Sequence, residues 1–237
     1  MADQFFRTGV AGIDRVNIDA GLRAFMLRVF NYMGGGLLMT GFIAFLVANT
    51  ALATIIFGSP LKWVAMLAPL VFIMFMQIRM QTISASTLKT LFWCFCATMG
   101  LSMASIFIVF TGASIARAFF ITAATFGTMS LWGYTTKKDL TSLGAFMFMG
   151  VIGLMIASVV NLFLASSGLQ WIVSVLGVAI FTGLTAFQVQ QLKQVYSENA
   201  GTEANDKLAV FGALQLYLNF INAFQFMLEL TGGMRRN

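Results

Sequence analysis

Long uncharged apolar stretches, separated by short clusters of Lys, Arg, Asp and Glu, make up almost the whole chain. The ionisable residues therefore delimit the elements. A hydrocarbon core about 30 Å thick is crossed by ~20 apolar residues in a helix. An open strand cannot cross it, because every backbone polar group must be paired within the protein. The pattern predicts seven helical spans. The first occupies roughly 30–52, inside the uncharged run 29–61, and ends before the turn residues Gly58, Ser59 and Pro60. The second lies between Lys62 and Arg79, the third over 90–116 and the fourth over 118–136. Residues 140–192 carry no charge and are too long for one crossing. They fold back at the small polar run 165–168, giving spans at 143–164 and 170–191. A polar connection follows at 193–207, and 208–228 is the seventh span.

The fold class is thus all-α: a polytopic membrane protein built as a bundle of seven transmembrane helices. Residues 1–28 read as a cytoplasmic tail, 29–230 as the membrane domain and 231–237 as a C-terminal tail. Within the first segment, Asp19 can cap a short interfacial helix with Leu22, Phe25, Met26 and Val29 along one face. The first apolar run starts too late and is too long for a cleaved signal peptide.

Composition narrows the function classes. Hydrophobic residues are 59% of the 237 and charged residues 9%, against about 25% charged in a soluble domain. The mean hydropathy is +0.88. A net charge of +6 would raise the question of nucleic acid in a soluble protein. Here the cations sit between spans, and most fall on the side of the N-terminus, which places that side in the cytoplasm. Arg235 and Arg236 dissent from this count. The expected surroundings are a lipid bilayer, with no nucleic-acid partner. There is no His, and the two thiols, Cys94 and Cys96, lie in an apolar run, so neither a disulfide framework nor a metal centre is expected. No phosphate loop or nucleophile motif appears. An enzyme and a bound cofactor are therefore not expected. Sixteen Met are spread over all spans, which makes Met74, Met76 and Met80 packing residues rather than a copper ladder. The patches Gly34-Gly35-Gly36 and Ala123-xxx-Gly127 are small enough to let helices approach closely.

The seventh run is the most polar. Gln215, Asn219, Asn222, Gln225 and Glu229 fall within about 120° of one another at ~100° per residue. Amides in hydrocarbon need partners, so this stripe should face the interior and make the seventh helix the centre of the bundle. On the sixth run, Ser174, Thr185 and Gln188 share a face that can meet it. Such a stripe fits a polar pathway, or plain interhelical hydrogen bonding. None of the eight Asp and Glu lies in mid-span, whereas a proton relay or Ca²⁺ site in the membrane calls for one. Glu229, near the end of the seventh span, is the nearest candidate.

Several motifs resemble the bacterial branch of the Bax inhibitor-1 (transmembrane Bax inhibitor motif) family. They are Ala116-Arg-Ala-Phe-Phe-Ile-Thr-Ala-Ala-Thr-Phe-Gly127, Gly133-Tyr-Thr-Thr-Lys-Lys-Asp-Leu140, Phe181-Thr-Gly-Leu-Thr-Ala-Phe187 and Gly212-Ala-Leu-Gln-Leu-Tyr-Leu-Asn-Phe-Ile-Asn222. The resemblance runs from about residue 20 to the end. It implies a bundle with a central seventh helix, in a bacterial inner membrane, and a pH-sensitive leak of Ca²⁺ or another cation. In the family, a pair of Asp on the sixth and seventh helices shares a proton and latches to an Arg on the second. Here both acids are amides, Gln188 and Asn219, and Arg79 remains at the latch position. Amides do not titrate in the physiological range, and they offer Ca²⁺ no charge to offset its dehydration. The expected outcome is a family bundle whose pH-gated leak is altered or lost. The alternative is a non-transporting interaction protein. The resemblance makes this a modulator of a membrane-anchored AAA protease, contacted through the arginine-bearing N-tail, or an accessory subunit of a larger membrane complex.

Overall fold

The computed structural model describes residues 2–196 and 201–233, with side chains from Ala20 onward. Arg235, Arg236 and Glu198 lie outside the described residues, as do the side chains of Arg7, Arg15 and Asp19. Eight helices make up the described part: α1 (Ala2–Ala48), α2 (Leu52–Phe57), α3 (Leu61–Arg79), α4 (Ala85–Val109), α5 (Gly112–Thr135), α6 (Thr141–Leu164), α7 (Ser167–Val195) and α8 (Gly201–Thr231). All but the short connector α2 are long and apolar enough to cross a membrane.

The ends of the spans follow local chemistry more than charge. Ser84, Thr111 and Ser166 cap α4, α5 and α7, each side chain accepting from a backbone N–H of the first turn. Such caps satisfy donors that the helix itself leaves unpaired. The third span consequently stops at Phe110–Thr111 and not at Arg117, which rides exposed on α5. Likewise the candidate span on α1 takes in Ala20–Ala48, reaching back well before residue 30, and carries Arg23 and Arg28 inside the helix. Long cationic side chains bury their stems and reach back to the interface, so a charge a turn or two inside a span does not end it. Phe25, Met26 and Val29 are buried in the bundle as the opening turns of the first span. Between α6 and α7 the chain reverses at Ala165, which adopts φ 48°. Its N–H donates to the Asn161 carbonyl at 2.8 Å. The Asn161 side chain accepts from Ser166 N–H at 3.0 Å, closing the turn.

Helix α8 is the axis. In its most apolar window 67% of residues are buried, against 50% for α7 and 11% for α6. It packs on α1, α4, α5 and α7, whereas α6 rests chiefly on α7 and α3 chiefly on α4. In lipid the association of helices comes from close packing and hydrogen bonds rather than from water exclusion. The closest approach is at Gly133 of α5, where an added Cβ would sit 2.8 Å from the Cα of Ala186 on α7. Two of the family-like motifs thus cross backbone to backbone. Gly36 instead leaves room between α1 and α4 for the side chains of Cys96 and Phe92. Gly127 does neither: a Cβ there would meet nothing within 4 Å, while Ala123 of the same patch packs against the core.

Candidate functional site

The site grows from the contact between α7 and α8. Gln188 and Asn219 are both buried, and Asn219 Nδ2 donates to Gln188 Oε1 at 2.9 Å. Among the described residues no ionisable side chain is hydrogen-bonded to either amide. Arg79 is exposed at the C-terminal end of α3, on a helix that rests on α4. The structure therefore joins Gln188 to Asn219 and leaves Arg79 apart from them.

Of the rest of the stripe, Gln215, Asn222 and Gln225 are half-buried and Glu229 is exposed. Asn222 turns its amide onto its own helix, donating to Leu218 O at 2.8 Å. Glu229 accepts from Ser174 Oγ at 2.6 Å and from Gln170 Nε2 at 2.7 Å. Thr185 donates within α7, to Phe181 O. Two members of the stripe, Asn219 and Glu229, thus bond across the α7 seam. The deepest face of α8 is aromatic: Tyr217 meets Phe95 and Phe92 of α4, and Phe220 meets Phe119 and Phe126 of α5.

Three polar ties escape a reading of the stripe alone. In the membrane interior, Thr40 of α1 donates to Cys96 O of α4 at 2.9 Å, and its hydroxyl shares a 2.7 Å hydrogen bond with Tyr217 of α8. At the cation-rich end, Asp206 of α8 is held by Arg28 of α1 at 2.6 Å and by Lys89 of α4 at 2.8 Å. At the same end, buried Gln190 of α7 accepts from Leu140 N–H at 2.8 Å and donates to Lys138 O at 2.7 Å. Lys193 adds a bond to Tyr134 O at 3.0 Å. These fasten the loop 136–140, while Asp139 accepts from the hydroxyl and backbone N–H of Thr141. That pair of bonds holds the Asp139 carboxyl below its usual range. The signal for the loop was present in the motif 133–140, but nothing in its spacing names Gln190 as the receptor.

A helical bundle of seven spans wrapped around a polar-sided last helix defines a multi-pass integral membrane protein. The profile of the family described as "Inhibitor of apoptosis-promoting Bax1" matches residues 22–237. The inner membrane protein YbhL of Escherichia coli (strain K12) is 40% identical over 220 residues, covering 91% of this chain and 94% of that protein. Uncharacterised proteins of Caulobacter vibrioides (43% over 231 residues, 93% and 92% covered) and Rickettsia prowazekii (40% over 218 residues, 92% of each) are similarly close. The chain belongs to the Bax inhibitor-1 family.

Proposed function

We propose that this protein keeps the Bax inhibitor-1 bundle but lacks a proton-switched cation leak, and acts by binding a partner within the membrane. It sits in a bacterial inner membrane with its N-terminus in the cytoplasm. The observation that supports this is the buried 2.9 Å amide–amide bond between Gln188 and Asn219. A switch worked by protons needs a group whose charge changes with pH, and neither amide has one. With Arg79 exposed on α3, the pair also has no cation to release. A ligand or proton shifts an equilibrium only through a difference in affinity between its states, and this contact offers protons none.

The test is Ca²⁺ flux in liposomes at pH 6 and pH 8. The expected result is no pH-dependent flux from the native chain. A strong pH-dependent flux that Gln188→Ala abolishes would overturn the proposal. The binding role is tested by affinity purification in mild detergent. A stoichiometric membrane partner, such as a membrane-anchored AAA protease or a larger complex, is expected. A lone monomer that conducts would refute it.

A further inference from the structure

Helices α1 and α5 both pack on α8 but barely touch one another. The seam between them holds two apolar cavities, one toward each membrane face. The cavity toward the end that carries Arg28, Lys89 and Lys193 has a volume of ≈ 460 Å³, within the range of sites that hold small ligands. Its lining includes Phe30 and Met26 of α1 with Phe126 and Leu131 of α5. It is open because Gly127, which also lines it, carries no side chain, and a Cβ there would meet nothing within 4 Å.

Three polar features sit on this otherwise apolar groove. Arg23 lines its mouth and is exposed. Tyr134 lines it too, and Lys193 is anchored on that residue through its carbonyl and lies 5.5 Å from the ring centre. Ser130, only 6% exposed, has a buried hydroxyl with no hydrogen-bond partner. A buried hydroxyl costs free energy until something accepts its proton. Ser130 lies little more than one turn inside the end of α5, the depth at which ester groups lie below lipid phosphates.

We propose that this groove is a binding site for one anionic phospholipid. The Arg23 guanidinium takes the phosphate, with the Lys193 ammonium adding to the local positive field. The Ser130 side chain turns its buried hydroxyl into the groove to donate to a glycerol-ester carbonyl, and an acyl chain lies along Phe30 and Phe126 in the space left by Gly127. Guanidinium is suited to phosphate because its donors form a planar fork. An unspecific coat of lipid needs none of these polar groups. The site is independent of whether the bundle conducts.

The experiment is lipid retention. The full chain is equilibrated with vesicles of phosphatidylglycerol and phosphatidylcholine in equal parts, extracted in mild detergent and weighed by native mass spectrometry. One phosphatidylglycerol per chain is expected, retained in preference to phosphatidylcholine. Arg23→Gln should lower its retention about fivefold, the effect of one interfacial cation. Gly127→Leu, which fills the groove, should lower it at least as far without lowering the thermal stability of the bundle. Lys62→Gln, at the opposite end, should leave retention unchanged. Equal retention of the two lipids would overturn the site, as would retention indifferent to both Arg23→Gln and Gly127→Leu. Should Gly127→Leu fail to fold, the Arg23→Gln result decides alone.

Discussion

The Gln188–Asn219 contact can be measured by a double-mutant cycle. Asn219→Leu and Gln188→Met remove the amides while keeping side-chain size. Both residues are buried, at 4% and 6% exposure, so neither survivor regains water when its partner is lost. Leaving one buried polar group unpaired costs about 1–3 kcal/mol. Membrane helices find substitute partners, and measured interhelical hydrogen bonds average about 0.6 kcal/mol with a ceiling near ~1.7. Each single variant is therefore expected to lose about 1–2 kcal/mol. The double variant should lose less than the sum, because two apolar side chains of similar shape leave no orphaned group. The coupling should come out near 1 kcal/mol, favouring the native pair. The assay is unfolding of the purified protein by titration with sodium dodecyl sulfate in mixed micelles. Additivity within about 0.3–0.5 kcal/mol, the usual result for independent sites, would refute the claim that these amides hold α7 to α8.

Other perturbations probe the ties around this contact. Asp206→Asn removes the carboxylate shared by Arg28 and Lys89. These partners are partly exposed, so the loss should be about 1 kcal/mol and should shrink as salt rises, read by the same titration at two ionic strengths. Gly133→Ala drives a Cβ to 2.8 Å from the Cα of Ala186, and since backbone cannot yield like a side chain it should cost about 1–3 kcal/mol. Gly153→Ala, where a Cβ meets nothing within 4 Å, should instead be neutral or gain up to about 1 kcal/mol; equal effects of the two would sink the close-approach argument. Asp139 is bonded in its charged form by Thr141, which lowers its pKa. A lowered carboxylate contributes above its unfolded pKa and is lost as pH falls through the folded one. Exchange protection of the Thr141 amide should thus hold from pH 7 to pH 5 and fail only once the pH has dropped below the ordinary carboxylate range. Protection that is lost already between pH 7 and pH 5 would contradict it.

The number of spans was legible because hydrocarbon excludes unpaired charge so strongly that a sequence of this kind is punctuated by its cations. Their borders were less so, for the same physical reason. Arg28 and Lys89 lie inside helices because both pair with Asp206, distant in sequence, and Arg117 because it is exposed. No local rule sees a partner 178 residues away. The turn at Phe110 was announced by Thr111 and Gly112, a capping residue followed by a glycine, and the charge-based reading passed over it. At the site, polarity marked Gln188 and Asn219, but it could not mark Tyr217. That side chain reads as aromatic packing until its hydroxyl is seen beside Thr40.

Centrality and polarity coincide on α8 without being the same property. The stripe was expected to be the buried face because amides need partners. The partners lie along one flank, on α7, and the face turned to α1, α4 and α5 is aromatic, with Tyr217 bonded to Thr40. An aromatic face gains from dense packing and places no ionisable group in hydrocarbon. A polar flank against one neighbour fixes register at the cost of a few hydrogen bonds. This division bears on the proposed function. The proton-sharing pair that the family resemblance implies belongs where α7 and α8 meet. The buried part of that seam holds Gln188 on Asn219, a contact whose strength does not vary with pH, and Glu229 meets α7 at the exposed end. The Gln188–Asn219 contact itself thus supplies no proton-dependent free energy, and the charged contacts of α8 lie at its two ends, in the Arg28–Asp206–Lys89 junction and at Glu229 on Ser174 and Gln170.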